Sequence, residues 1–261
     1  MVTKRWCSAN EYPHHRATRI IENHQQGSIM SETKAAKPAR IGGHILVDQL
    51  RAQGVKHVFC VPGESYLAVL DGLHDAGIDI TVCRQEGGAA MMADAHGKLT
   101  GEPGICMVTR GPGASNALAG IHIAKQDSAP MILFVGQIER GMREREAFQE
   151  MDYRAVFGTQ AKWVTEIDQV ERIPEIVSRA FHVATSGRPG PVVIALPEDM
   201  LMESAEVADA PRYAEIERCP SPSISTSCFA AWRKRVRRSP FWAAPAGVPR
   251  RSHSSRKWPN A

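Results

Sequence analysis

Residues 39–205 predict a doubly wound α/β fold, a mainly parallel sheet with helices on both faces. Three observations lead there. Short continuous apolar runs recur and read as strands buried on both sides. Stretches of helical period separate them one by one, and Gly or Pro marks most of the handovers.

The elements follow in chain order. Ile45, Leu46, Gln49 and Leu50 share one face of a helix that begins near Ile41, and Gly54 stands where a left-handed cap would end it. Val58 to Val61 is a strand stopped by Pro62 and Gly63. A helix is expected from about Glu64 to Ala76, a strand from Ile80 to Cys83, a helix from about Glu86 to Thr100 and a strand from Ile105 to Thr109. Gly111, Pro112 and Gly113 read as a turn, with Ser115 or Asn116 capping a helix that runs to about Lys125. Met131 to Val135 is the next strand. Phe148 to Phe157 reads as loop and helix, and Trp163 to Thr165 as a strand. Ile173 to Ala184 is a helix with Ile173, Ile176, Val177 and Phe181 on one side. The turn Ser186 to Pro191 then leads into a last strand, Val192 to Leu196. Together they make one domain of about 160 residues, an ordinary domain size, and 43% hydrophobic content suffices for its core.

Outside this domain the sequence changes character. Residues 1–38 mix histidines and basic residues without a period; they read as disordered, or as an extension upstream of a start at Met30. The net charge of +4 is unevenly spread, because Arg218 to Ala261 holds ten Lys/Arg and no Asp/Glu, leaving 22 basic and 28 acidic residues before it. Residues 206–261 form a basic irregular tail. A basic arm with three of the five tryptophans has the composition of a nucleic-acid contact. Out-of-frame translation of a GC-rich message yields the same excess of Arg, Pro, Ser and Trp, and is the preferred reading beyond about Glu217. No run approaches the ~20 apolar residues that cross a bilayer, and the first residues lack an apolar signal core. A cytoplasmic protein with no membrane or nucleic-acid partner is expected. Six cysteines without C-x-x-C spacing, three of them in apolar strand-like runs, read as reduced core residues with no metal.

Two runs carry chemistry. Val82 to Ala90 places Glu86 where a strand hands over to a helix, at the carboxyl edge of the sheet where open α/β folds bind ligands. Gly87 and Gly88 leave space beside it for a flat ring. An acid in a helix's first turn is also explained by the macrodipole alone. Gly111-Pro112-Gly113 lets backbone approach a ligand closely, without the Lys and Ser/Thr of a phosphate-gripping loop. The first strand–helix turn lacks Gly-x-Gly-x-x-Gly, which argues against plain dinucleotide binding.

These runs occur in order with Gly54-Val55 through Val61-Pro62-Gly63, Gly136-Gln137, Ala147-Phe148-Gln149-Glu150 and Ser186 to Val193. The set resembles the pyrimidine-binding domain of the thiamine diphosphate enzymes, the superfamily of acetolactate synthase, pyruvate oxidase and benzoylformate decarboxylase, and most of all acetolactate synthase. The resemblance implies thiamine diphosphate as cofactor, with Glu86 hydrogen-bonded to the aminopyrimidine ring so that the cofactor can deprotonate its own thiazolium carbon. Pro62, Gly63, Gly111, Pro112, Gly113 and Asn116 would line the pyrimidine pocket. Gln149 would sit near the reacting centre, and Arg188 matches an arginine that contacts FAD. The implied reaction is decarboxylation of a 2-oxo acid such as pyruvate and carboligation of the product, a step of branched-chain amino acid biosynthesis.

In the family the diphosphate is held through Mg²⁺ by a Gly-Asp-Gly motif in another domain, which this sequence lacks. The expectation is therefore a truncated chain, inactive alone and part of a homo-oligomer when complete; the alternative is a separate subunit that pairs with a diphosphate-domain chain. Gln85, Glu64, Arg110 and Glu139 depart from the acetolactate synthase pattern on the substrate side of the site.

Overall fold

The structure, a computed structural model, describes residues 38–214. The expected start at Met30, the basic tail beyond Glu217, and Cys7, Cys219 and Cys228 lie outside the described residues.

The chain enters through β1 (Arg40–Ile41) and α1 (Gly42–Ala52), then alternates: β2 (His57–Cys60), α2 (Leu67–His74), β3 (Asp79–Val82), α3 (Glu86–Thr100), β4 (Gly104–Val108), α4 (Gly111–Asp127) and β5 (Met131–Gln137). It continues with α5 (Tyr153–Phe157), β6 (Trp163–Glu166), α6 (Ile173–Thr185), β7 (Pro191–Pro197), α7 (Glu198–Met202) and β8 (Ser204–Ala205). Six strands pair in the order β3-β2-β4-β5-β7-β6, every pair parallel, while β1 and β8 form a separate antiparallel pair. The doubly wound α/β prediction holds.

Strand alternation divides the core between two faces. Val58, Cys60, Ile105, Met107, Ile132, Phe134, Val192 and Ile194 pack with α1, α2 and α6. Their neighbours Cys106, Val108, Leu133, Val135 and Val193 pack with α3 and α4. The order also sets the ligand crevice. From β2 the chain first moves outward to β3, then returns past β2 to β4, so the winding reverses between β2 and β4. At such a reversal the loops after the two strands splay to opposite faces and leave a cleft at the carboxyl edge.

Local chemistry explains most boundaries. Gly54, at φ +87°, ends α1: Val55 N–H donates to Leu50 O and Gly54 N–H to Arg51 O, the paired bonds of a Schellman cap. Three expectations need correction. The stretch from Glu64 is a 3-10 turn (Glu64–Tyr66) before α2, so its helix is shorter than expected. Gly111-Pro112-Gly113 is the first turn of α4, and neither Ser115 nor Asn116 caps it. Proline is tolerated in a first turn, where N–H groups lack helical partners anyway, and Gly111 N–H finds the carbonyl of Gln149 at 3.1 Å. Ser115 instead donates back to Gly111 O at 2.9 Å. Finally, Val207 and Tyr213 pack against the core, so ordered contacts continue past residue 205.

Candidate functional site

The loops after β2, β3 and β4 meet at the carboxyl edge. Glu86 opens α3, whose N-cap Gln85 accepts from Gly88 N–H at 2.8 Å through its side chain. That cap fixes the direction in which α3 leaves the sheet. Asn116, in the second turn of α4, donates its side-chain N–H to Glu86 Oε2 at 2.9 Å. The other oxygen, Oε1, stands 3.5 Å from where a Cβ on Gly113 would lie. The carboxylate thus sits between the N-terminal, partially positive ends of α3 and α4.

The neighbouring loops are fitted with little spare room. A Cβ on Gly63 would come within 2.5 Å of Thr109 Cβ, so the Pro62-Gly63 turn rests directly on the residue preceding Arg110. Ser65 and Thr109 hydroxyls bond at 3.0 Å. The backbone of Gln149, held at φ +64°, meets the start of α4 through Gly111. Pro62, Gly63, Glu86, Gly111, Pro112, Gly113, Asn116 and Gln149 are therefore brought to one rim. Glu86 is half-buried, whereas Pro62, Pro112 and Asn116 are exposed. The rim is an open wall rather than an enclosed pocket.

Arg188 is placed elsewhere. Its guanidinium donates to Ser128 Oγ at 2.7 Å and to Gln126 O at 2.9 Å, closing the C-terminal end of α4. Seventeen helical residues separate that end from Gly111, about 25 Å at 1.5 Å per residue.

Arg110 is the residue whose importance the sequence did not disclose. Its side chain, 8% exposed, gathers Glu64 at 3.2 Å and Glu198 at 2.5 Å. It thereby joins the turns after β2, β4 and β7. Glu64 and Arg110, two of the departures from the family pattern, pair with each other. Arg140 makes a comparable pair of links, to Asp199 on α7 and to Glu203 at its C-cap. Burial acts to raise the Asp199 carboxyl, but the bonds from Arg140 outweigh it and hold the group below its ordinary value. Burial, followed by nearby charges that include Glu86, pushes the Tyr66 phenol and the Cys106 thiol up.

Comparison with known proteins decides the family. Residues 40–156 match the family described as thiamine pyrophosphate enzyme, N-terminal TPP binding domain. Residues 40–156 belong to this family of N-terminal domains. Thiamine pyrophosphate is thiamine diphosphate, so the match agrees with the resemblance carried by Glu86 and the Gly-Pro-Gly run. The chain is 40% identical over 176 residues to acetolactate synthase of Bacillus subtilis, covering 66% of this chain and 31% of that protein. It is 43% identical over 161 residues to the acetolactate synthase isozyme 3 large subunit of Escherichia coli, covering 61% and 28%. The isozyme 2 large subunit of the same organism is 39% identical over 166 residues, covering 64% and 30%. The chain thus spans about a third of the length of the curated relatives it matches. It carries a thiamine pyrophosphate-binding N-terminal domain and is similar in sequence to acetolactate synthases. Among its described residues no helix is long and apolar enough to cross a membrane.

Proposed function

We propose that this domain holds the pyrimidine half of thiamine diphosphate against Glu86, in an enzyme that decarboxylates a 2-oxo acid and joins the product to an acceptor. One observation carries the reading: at the crevice between β2 and β4, Asn116 occupies one oxygen of the Glu86 carboxylate and turns the other toward Gly113. An oxygen of a half-buried carboxylate, beside a residue without a side chain, suits the edge of a flat heterocycle that offers a hydrogen-bonding nitrogen.

When bound, the cofactor supplies a stabilised carbanion, a reaction no side chain in this site can perform. The chain's part is positional. Glu86 hydrogen-bonds the ring, Asn116 fixes which carboxylate oxygen does so, and Gly113 leaves the space the ring occupies. Gln149 orients the reacting 2-oxo acid from the loop above α4. Arg188 is given a capping role, because its Nε and Nη2 donate to the end of α4, and no flavin contact is assigned to it. Mg²⁺ and the diphosphate are held outside this domain, in keeping with the open rim; among the described residues no cluster of His, Cys, Asp and Glu is suited to a metal. The complete site then needs a diphosphate-holding domain, supplied by a continuation of the same polypeptide or by a partner chain in a cytoplasmic oligomer.

The test is assembly. The chain alone, given pyruvate, thiamine diphosphate and Mg²⁺, is expected to show negligible turnover, and pairing it with a diphosphate-holding domain should restore activity. Glu86→Gln in the assembled enzyme should then lower kcat by about 10²–10⁴, the usual contribution of a positioned acid or base. Turnover near the unsubstituted level in that variant would rule out the role given to Glu86.

A further inference from the structure

The domain holds two buried amides that the proposed function does not use. Gln49 on α1 and Gln53, the C-cap residue one turn further on, are 0% and 1% exposed. A buried side-chain amide must find partners for both its oxygen and its nitrogen, and both residues find them on main chain. Gln49 donates to Ala210 O at 3.3 Å and accepts from Ala210 N–H at 2.8 Å. Gln53 donates to Pro211 O and accepts from Tyr213 N–H, each at 2.9 Å. Arg40, just before α1, adds a bond to Val207 O at 2.7 Å and a charge-assisted contact to Asp209. These bonds reproduce along a helix what a neighbouring strand offers, an alternation of donors and acceptors set to an extended backbone.

We infer that α1 carries a main-chain-reading surface whose occupant is the stretch Val207–Tyr213, and that this stretch is a strap opening and closing as a unit separate from the sheet. Between Val207 and Tyr213, which pack on the core, Ala210 is held entirely through its backbone. Tyr213 closes the far end with its ring 5.4 Å from Phe181. A segment fixed at its ends by two apolar side chains and between them by polar bonds has a lower opening free energy than strands buried on both faces, and exchanges its amides through its own local transition. Because α1 reads backbone, the surface fits an extended peptide with little regard to side chains, provided the two N–H groups are present.

Hydrogen exchange on the full chain tests this. The Ala210 and Tyr213 amides are expected to exchange at least tenfold slower than unprotected amides, yet faster than Val135 and Ile194 in the sheet. Replacing both glutamines, Gln49→Leu with Gln53→Leu, should return Ala210 and Tyr213 to the unprotected rate while Val135 and Ile194 keep theirs. Unprotected exchange in the unsubstituted chain, protection that survives both replacements, or simultaneous loss of the sheet amides would each overturn the strap. A second pair leaves α1 untouched. Ala210→Pro removes one N–H and should expose the Tyr213 amide, whereas Ala210→Ser keeps the N–H and should change nothing; equal effects of the two would refute main-chain reading.

Discussion

Gly113 separates binding from folding more cleanly than any other position at the rim. It lies in the first turn of α4 with ordinary helical backbone, where alanine is favoured over glycine by about 1 kcal/mol. The added Cβ would sit 3.0 Å from Thr109 Cγ2, which must shift by a few tenths of an ångström, and 3.5 Å from Glu86 Oε1. Gly113→Ala should therefore leave Tm within a few degrees of the unsubstituted chain and weaken thiamine diphosphate binding in the assembled enzyme by at least tenfold. Calorimetric titration checks it, and equal affinities would remove Gly113 from the pocket. Asp199 gives a prediction in pH. Its carboxyl titrates lower when folded than when unfolded, so the stabilisation is present above the unfolded value of about 3.8 and is lost as pH falls through the lower folded value. Asp199→Asn should flatten part of the acid limb of a urea-unfolding series between about pH 2 and 6, by under ~1 kcal/mol because the pair is partly exposed. At this scale the placement of Glu86 was legible in the sequence, since a carboxylate four positions past a strand, at the start of a helix and ahead of a Gly-Pro-Gly run, is a local pattern. Glu198 was not legible: it reaches Arg110 across 88 positions of chain, and no spacing rule connects them. The bonds of Arg188 were not legible either, because Ser128 and Gln126 lie about sixty positions away in the chain.

The strands and long helices could be read because each buried run is bounded by glycine, proline or a cap. What stayed hidden was the extent of α4. Ser115 and Asn116 look like caps, but the cap comes from Gln149, whose carbonyl arrives from a loop more than thirty positions downstream. Gln49 was assigned correctly to the apolar face of α1, yet its reason for being there depends on Ala210. The packing of α3 also rests on a contact the sequence conceals. A Cβ on Gly104, in β4, would fall 1.9 Å from Ala93 O in α3. That neighbour is backbone and cannot swing aside, so Gly104→Ala should destabilise by about 1–3 kcal/mol through overpacking. Denaturant titration reads the loss, and a change below ~0.5 kcal/mol would show that α3 lies farther from β4.

For the molecule as a whole, sheet order and site location are one fact. The reversal between β2 and β4 opens the crevice, and the turns that border it carry Pro62, Gly63 and Gly111 to Gly113, with Glu86 entering from the adjacent β3. Parallel strands alternating with helices were plain in the sequence; the strand order was not, because any of several right-handed windings fits the same alternation. An exposed wall at that crevice is what the proposed reading expects of a domain that holds only the pyrimidine half of the cofactor. A structure of the assembled enzyme with thiamine diphosphate tests this most directly. The account predicts an oxygen of Glu86 within hydrogen-bond distance, about 2.6–3.2 Å, of a pyrimidine ring nitrogen, with the ring edge over Gly113. A pyrimidine ring held by other groups, with Glu86 turned to solvent, would contradict it.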